Sequence, residues 1–238
     1  MKRIVLLVLL LSTCAFALER QSNADYRARR EALAKKAQNG LILVFANTEE
    51  VAGDAETGFR QSNDFYYLTG LIDPGGAILI APAVDPNDPR FEQVPAEMRP
   101  QARPYSEVLF LPAHSQQERW TGPRSGPGDA GLSNKTGFER VLTLGELDEE
   151  ITRLSPRGTL LWVNEGKLSD APVQWLRRIA QVFPRDVTPL VAQLRNIKDA
   201  GEVELIRKAS QASVAAHMAA VKAMKPGLNE RHLSVDGL

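Results

Sequence analysis

The chain has 238 residues, of which 43% are hydrophobic, and its 29 basic side chains balance its 29 acidic ones. A chain of this length and composition can bury one sizeable domain and part of another. The even balance excludes a general basic field of the kind that attracts nucleic acid or an anionic membrane surface. These properties favour a small or neutral partner and no nucleic acid.

The first 17 residues predict a secretory signal peptide. Lys2 and Arg3 precede an apolar run over residues 4–11, and residues 15–17 (AFA) supply a small-x-small cleavage pattern. The run is shorter than the roughly 20 residues that a membrane-spanning helix needs, so we predict no stable membrane span. We therefore expect a secreted or periplasmic protein.

Cys14 offers an alternative, because residues 11–14 (LSTC) can be read as a lipoprotein cleavage box with a lipid on Cys14. Thr13 is bulkier than the small residue expected there, which disfavours this alternative. Cys14 is the only cysteine of the sequence, so cleavage after Ala17 leaves neither disulfides nor thiol chemistry. The folded protein must then be stabilised by an ordinary hydrophobic core.

The first elements predicted after the signal peptide are a helix and a strand. Residues 23–38 are rich in Ala, Arg and Lys and indicate a surface helix, which Gly40 ends. Residues 41–46 (LILVFA) form a nearly continuous apolar run, typical of a strand covered on both faces.

A strand pair and an irregular segment follow in the prediction. Residues 65–68 (FYYL) look like a strand, and a turn at residues 73–76 (DPGG) joins it to another at residues 77–80. We expect the three aromatic residues of this strand to lie in the core. Six prolines between Pro82 and Pro104 predict a long surface insertion without regular structure.

The second half alternates strands with helices around a loop rich in glycine and proline at residues 122–131. The predicted strands cover residues 107–111 and 159–163. Residues 141–144 lead into a predicted short helix at residues 146–154, and a second helix is predicted over residues 171–182. This order predicts an α/β fold in which helices flank a mixed sheet.

A long helix is predicted over residues 200–225, which contain no proline and carry an alanine-rich apolar face. Asp199 and Glu202 have the spacing of a capping box, and Pro226-Gly227 stops the helix. We place a domain boundary at residues 195–198, so that this helix begins a second domain.

Catalytic or metal-binding residues are not evident from the usual patterns. An acidic cluster at residues 49–56 is interpreted as a solvated loop, since no histidine lies nearby. His114, His217 and His232 are far apart and show no metal-binding spacing, so His114 and His232 look incidental and His217 is interpreted as a packing residue. We predict no catalytic residue and no metal ligand in this chain.

Three blocks in order resemble the Xaa-Pro aminopeptidase (aminopeptidase P) family. Residues 59–70 (FRQSNDFYYLTG) are similar to a block of its N-terminal domain, and residues 120–126 (WTGPRSG) are similar to its W-x-G-x-R-x-G loop. Residues 194–209, His217 and residues 224–227 (MKPG) resemble the linker and opening helix of its catalytic domain.

The resemblance implies a two-domain metallopeptidase that removes an N-terminal residue preceding proline. Its second domain has a pita-bread fold and holds two divalent ions, commonly manganese, through two Asp, one His and two Glu. Such a pair of ions activates a water and polarises the scissile carbonyl. We expect residues 1–17 to be the signal peptide, 18–195 the creatinase-like N-terminal domain, and 196–238 the beginning of a truncated catalytic domain.

The implied metal ligands follow the opening helices of the family, so we expect them beyond Leu238 and expect this chain alone to be inactive. The pattern departs from the family at residues 235–238, which favours a frameshift, an early stop or an incomplete gene as the cause. An alternative is a non-catalytic binding or oligomerisation module that is itself the product.

Trp120 and Arg124 are the predicted substrate-binding residues. In oligomeric relatives, the resemblance implies that this loop borders the substrate pocket of a neighbouring subunit in a homo-oligomer. Trp120 would offer an apolar wall, and Arg124 would bind a peptide carboxylate in a charge-assisted pair. The alternative is that Trp120 anchors the loop by burial and Arg124 is solvated.

Overall fold

The computed structural model describes residues 20–37, 40–49, 53–54, 58–99, 101–116, 118–154, 160–164 and 184–227. The described strands are β1 Leu41–Phe45, β2 Gly53–Asp54, β3 Gly58–Phe59, β4 Ala77–Ala81, β5 Ser106–Leu111, β6 Val141–Thr143, β7 Leu161–Val163 and β8 Arg185–Asp186. The described α-helices are α1 Asn23–Lys36, α2 Asn63–Thr69, α3 Glu118–Thr121, α4 Leu132–Thr136, α5 Leu147–Leu154, α6 Thr188–Asn196 and α7 Ala200–Ala223.

Six of the strands form one mixed sheet in the order β6-β5-β4-β1-β7-β8. β4 pairs antiparallel with both β1 and β5, whereas β1 with β7, β7 with β8, and β5 with β6 are parallel. Helices pack against this sheet, which confirms the predicted α/β fold. β2 and β3 form a separate two-stranded ribbon.

The apolar run of β1 lies in the middle of the sheet and is covered on both faces, as predicted. Ile42 and Val44 belong to the core under α1, α2 and α6, whereas Leu41 and Leu43 belong to the core under α5. This division follows from the alternation of side chains along a strand. Each of the four side chains has no measurable exposure.

α1 is more buried than the predicted surface helix. Ser22 and Asp25 form a capping box at its start, in which each side chain accepts the other residue's backbone N–H. Tyr26, Arg30 and Leu33 then lie on a face that packs against the rest of the domain. Its arginines made the helix look solvated in the sequence, although Arg30 is fully buried.

The predicted strand at residues 65–68 is wrong, because these residues belong to α2. Ser62 occupies the N-cap position, and Gly70 ends the helix in the left-handed conformation with its N–H bonded to the Tyr66 carbonyl oxygen at 2.7 Å. Phe65 and Leu68 are three positions apart and both are buried, so helical spacing places them on one face. Tyr66 and Tyr67 are only partly buried.

The proline-rich segment is largely irregular, as predicted. Its regular parts within the described residues are two short 3-10 turns, Pro89–Phe91 and Ala96–Met98. Val84 and Arg103 form a bridge at its base, with backbone bonds of 2.7 and 3.0 Å in the two directions. The predicted helix over residues 171–182 lies outside the described residues.

The chain divides into two compact units, one of which is residues 22–196 and the other of which contains α7. In the second unit, α7 confirms the predicted long helix. Asp199 accepts the Glu202 N–H at 2.7 Å, and Glu202 accepts the Asp199 N–H at 3.0 Å, which completes the expected capping box. Among the described helices, none combines the length and apolar character needed to cross a membrane.

Candidate functional site

The loop between β5 and α4 carries both predicted substrate-binding residues. Trp120 lies in α3 and is 91% exposed, so the alternative in which it anchors the loop by burial is wrong. Arg124 follows after Gly122, and its side chain is 26% exposed. The structure therefore presents an open indole and a partly enclosed guanidinium on one segment, four residues apart.

Arg124 forms an ion pair with Glu49, which lies 75 residues earlier in the chain. Glu49 follows β1 and belongs to the acidic cluster that the sequence indicated as a solvated loop. Its side chain is 47% exposed, but its pairing with Arg124 shows that solvation is not its whole role. The guanidinium therefore already pairs with a carboxylate of this chain, and a peptide carboxylate at Arg124 would have to share it with Glu49 or displace Glu49.

Gln61 braces the segment that carries Glu49. Its side-chain oxygen accepts the backbone N–H groups of Asn47 and Ser62, each at 2.8 Å, and its side-chain nitrogen donates to the Asp73 carbonyl oxygen at 2.7 Å. Asn47 in turn donates to the Arg60 carbonyl oxygen at 2.9 Å. Gln61 of the family block is therefore a structural brace, because its one buried amide satisfies three backbone groups.

The same brace reaches the far end of the Trp120 loop. The Asp73 carboxylate accepts the Ser125 N–H at 3.3 Å, and Lys135 of α4 donates to the Ser125 hydroxyl at 2.5 Å. Ser125 is 6% exposed, so its side chain is part of the packing rather than an available nucleophile. The residue after Arg124 is thus fixed from two sides.

His114 joins the two ends of the loop. Its Nδ1 lies 3.0 Å from a carboxylate oxygen of Glu118, and its Nε2 lies 2.9 Å from a carboxylate oxygen of Asp129. Glu118 also accepts the Ser115 N–H at 3.0 Å, and Asp129 also accepts the Gly126 N–H at 2.9 Å. His114 was interpreted as incidental in the sequence, and that interpretation is wrong.

The carboxylates around His114 shift its protonation and their own. Hydrogen bonds to Asp129 and then to Glu118 raise the pKa of His114 above its ordinary value of 6.5. The Ser115 N–H and then the His114 ring lower the pKa of Glu118. The Gly126 N–H and then the same ring lower the pKa of Asp129. All three shifts favour an imidazolium between two ionised carboxylates.

A shallow pocket of about 370 Å³ lies beside the C-terminal end of the loop. Asp129, Ser133, Asn134 and Glu139 contribute its polar lining. Neither Trp120 nor Arg124 lines it, so this pocket is separate from the predicted substrate-binding pair.

Sequence reasoning missed Glu49, Gln61 and His114 for different reasons. His114 and Glu118 are only four residues apart, but His114 precedes α3, so no helical spacing in the sequence indicated their contact. No sequence pattern connects Glu49 with Arg124, because the fold alone brings them together. Gln61 sits inside the block that resembles the family, but its three backbone partners depend on the turn at Asp73.

Comparison with known proteins identifies the domain. The family model described as "Aminopeptidase P, N-terminal domain" matches residues 26–162, which is more than half of the chain. The Xaa-Pro aminopeptidase of Escherichia coli K12 is 26% identical over 227 residues, which cover 89% of this chain and 47% of that protein. Human Xaa-Pro aminopeptidase 3 is 24% identical, with 94% of this chain and 43% of that protein covered.

The fold also matches a solved structure of zinc-substituted E. coli aminopeptidase P in complex with product. The TM-score is 0.70 at 24% identity, and the match covers 92% of this chain and 49% of that one. The chain thus spans about half the length of the relatives it matches. On the family match, with the fold in agreement, the chain belongs to the family of aminopeptidase P N-terminal domains.

Proposed function

We propose that the chain is the N-terminal portion of a secreted, metal-dependent Xaa-Pro aminopeptidase, which removes the residue that precedes proline. The observation that carries the proposal is the family match over residues 26–162, together with relatives that bear the Xaa-Pro aminopeptidase name. Activity, peptide substrate and subunit partners are assigned to the whole protein, since the chain spans about half of these relatives.

The proposed protein is exported and has two domains. Residues 1–17 lie outside the described residues, and the support for export is their basic start, apolar run and AFA pattern. In this proposal residues 18–195 form the N-terminal domain and residues 196–238 begin the catalytic domain. The change of compact unit between Asn196 and Ile197 supports that division.

The proposed cofactor of the whole protein is a pair of divalent ions such as manganese, and the zinc-substituted relative supports a metal-dependent family. The described residues of this chain do not fit such a centre, because among them no three or more His, Cys, Asp or Glu side chains converge to hold an ion. His114 has two carboxylates nearby, but they lie on opposite ring nitrogens and cannot share one cation with the ring. The proposal gives these residues no role in metal catalysis.

Trp120 and Arg124 are the proposed contribution of this chain to substrate binding. The indole is 91% exposed on a loop whose following residues are fixed by Asp73 and Lys135. A loop whose backbone is already fixed loses less backbone entropy when one of its side chains contacts a ligand. In a homo-oligomer of the kind that the resemblance implies, such an indole would face a neighbouring subunit's pocket.

We expect Arg124→Met in the whole manganese-loaded enzyme to raise KM for a short Xaa-Pro peptide with a free C-terminal carboxylate. The rise should be about 10- to 100-fold, as for the loss of one charge-assisted hydrogen bond, with a smaller change in kcat. The measurement is steady-state hydrolysis of that peptide and of its C-terminal amide, which lacks the negative charge. The wild-type preference for the free carboxylate should disappear in the variant.

Arg119→Met is the matched control, since Arg119 is an exposed arginine of the same loop. It should leave KM and the preference for the carboxylate unchanged. Equal kinetics of the Arg119 and Arg124 variants would rule out the proposed carboxylate contact. An equal effect of Arg124→Met on the acid and the amide would show that Arg124 only supports the loop.

The chain alone tests the assignment of activity to the whole protein. Purified residues 18–238 with added manganese should release no first residue from an Xaa-Pro peptide, whereas the whole protein under the same conditions should do so. Mass spectrometry of the peptide products measures both. Metal-dependent release of the first residue by residues 18–238 would contradict the proposal that only the whole protein is active.

A further inference from the structure

His114 sits between two acceptors, and this arrangement determines its charge without reference to any ligand. Both ring nitrogens face carboxylate oxygens, Glu118 at 3.0 Å and Asp129 at 2.9 Å. A neutral imidazole carries one N–H, so its other nitrogen would present a lone pair to a carboxylate. An imidazolium donates to both, and it is therefore the form that fits the observed geometry.

The two carboxylates connect the His114 ring to backbone N–H groups of the loop. Glu118 accepts the Ser115 N–H, and an interaction with the Arg124 N–H also lowers its pKa. Asp129 accepts the Gly126 N–H at 2.9 Å. The ring thereby links the residue at the start of the loop to the backbone on both sides of Ser125.

Gly126 is shaped to admit the ring. A Cβ on this residue would lie 2.5 Å from His114 Nε2 and 2.8 Å from its Cε1, inside van der Waals contact. The imidazole therefore rests directly on the loop backbone. This second contact is steric, and it is independent of the hydrogen bonds to Glu118 and Asp129.

We propose that His114 is a positioning residue, whose protonated ring ties the segment from Glu118 to Asp129 into one conformation and releases it when the proton is lost. The charged groups that face the ring are Glu118 from α3 and Asp129 from the loop before α4, while Lys135 of α4 acts on Asp129. His114 touches no reacting atom, and it acts through the loop that carries Trp120 and Arg124.

We call the cluster of His114, Glu118 and Asp129 the latch. The pH range in which the latch is intact follows from the directions of the three pKa shifts. The His114 contribution is complete below the ordinary histidine value of 6.5 and is lost as pH rises through its raised pKa. The Glu118 and Asp129 contributions are complete above the ordinary values of 4.5 and 3.8 and are lost as pH falls through their lowered pKa values. The latch should therefore be fully formed between pH 4.5 and 6.5 and should weaken in alkaline solution.

NMR titration of residues 18–238 tests the latch without any peptide. The His114 ring should titrate above 6.5, and the amide protons of Arg124 and Gly126 should shift with the same midpoint. In His114→Gln this midpoint should vanish from both amides, whereas His217→Gln, which removes a histidine of α7, should preserve it. A His114 midpoint at or below 6.5, or loop amides that titrate equally in His114→Gln, would overturn the proposal.

The consequence for peptide binding rests on the proposed function and has its own readout. In the whole enzyme, KM for the peptide acid should rise with pH through the His114 midpoint, and this rise should be absent in His114→Gln. If the amides follow His114 while KM does not, the latch stands and the substrate role of the loop fails. If neither follows His114, the latch itself fails.

Discussion

Replacing Arg30 with Met is expected to lower the free energy of unfolding by about 3–5 kcal/mol, the usual cost of removing one partner of a buried ion pair. The Arg30 side chain is fully buried, and that of Glu107 is 8% exposed. Two parallel hydrogen bonds of 2.8 Å join the guanidinium to the Glu107 carboxylate. The variant leaves that carboxylate buried without its cation.

Further contacts of Arg30 explain why the loss should lie at the upper end of mutational effects. Its third nitrogen donates to the Leu68 carbonyl oxygen at 2.8 Å, and its guanidinium lies 4.0 Å from the centre of the Phe138 ring. Tyr105 donates to Glu107 at 2.6 Å. Arg30 thus joins α1 to α2, to β5 and to the segment before β6, and a methionine replaces none of these polar contacts.

The loss in free energy of unfolding caused by Arg30→Met should become smaller as the pH falls. Burial alone would raise the pKa of Glu107, but hydrogen bonding and charge from Arg30 outweigh it and keep the pKa below 4.5. Without Arg30 the effect of burial is unopposed, so Glu107 should take up a proton at higher pH and become neutral. Urea unfolding at pH 7 and at pH 4.5 should show the difference between wild type and variant narrowing at the lower pH.

Two controls distinguish the loss of the Arg30–Glu107 ion pair from the general effect of removing an arginine. Arg90→Met removes an exposed arginine that pairs with Asp88 in the proline-rich segment, and it should leave the unfolding midpoint unchanged. Arg30→Met with Glu107→Leu should be more stable than Arg30→Met alone, because no charge is then left buried. A double variant no better than the single one would show that the loss comes from packing.

Local patterns predicted the sheet well because burial on both faces leaves a strong sequence signal. β1, β4 and β5 are short apolar runs between turn residues, and each appears within a residue or two of the expected bounds. α7 has a capping box, a stop signal and no internal proline, so the sequence predicted both ends of this helix as well as it predicted the strands. These features depend on neighbours in sequence, and the sequence therefore contains them.

α2 shows why the same reasoning failed elsewhere. Phe, Tyr and Leu in a row favour a strand by propensity, but Ser62 and Gly70 supply the N-cap position and the left-handed end of a short helix. Packing of Phe65 and Leu68 against the α1 side of the sheet then decides in favour of the helix. Propensity over seven residues is too weak to resist that burial.

The sequence predicted two residues of the candidate site, and the structure adds Glu49, His114 and Asp129. Trp120 and Arg124 could be nominated because they stand in a block that resembles the family. Glu49 reaches Arg124 and Asp129 reaches His114 only through the folded loop, across separations of 75 and 15 residues. Such polar pairs leave no periodic trace, since a single carboxylate on a loop looks the same whether it is solvated or paired.

Replacing Gly70 with Ala is expected to cost about 2–5 kcal/mol, which makes it the second large effect. Gly70 ends α2 with φ 66° and ψ 15°, a conformation that costs an L-residue roughly 1–2 kcal/mol. The added Cβ would also lie 2.5 Å from Cε2 of the buried Tyr26 ring, and overpacking of this kind costs about 1–3 kcal/mol. Tyr26 is 2% exposed, so the ring has little room to retreat.

Gly131→Ala isolates the backbone part of that cost. Gly131 has nearly the same dihedral angles, φ 73° and ψ 10°, but a Cβ added there would meet no heavy atom within 4 Å. We expect Gly131→Ala to lose only the backbone part, about 1–2 kcal/mol, in the same urea titration. The difference between the two variants then measures the collision with Tyr26.

Tyr26→Leu supplies the remaining comparison, because a smaller side chain removes the ring atoms that the new Cβ would meet. The loss caused by Gly70→Ala should be smaller in the Tyr26→Leu background than in wild type, and this coupling is the signature of a steric contact. If Gly70→Ala and Gly131→Ala lose equal stability and Gly70 shows no coupling to Tyr26, then the left-handed backbone alone requires glycine at the end of α2. The close approach of α1 to α2 would in that case tolerate a methyl group, and Gly70 and the Tyr26 ring would not be tightly packed.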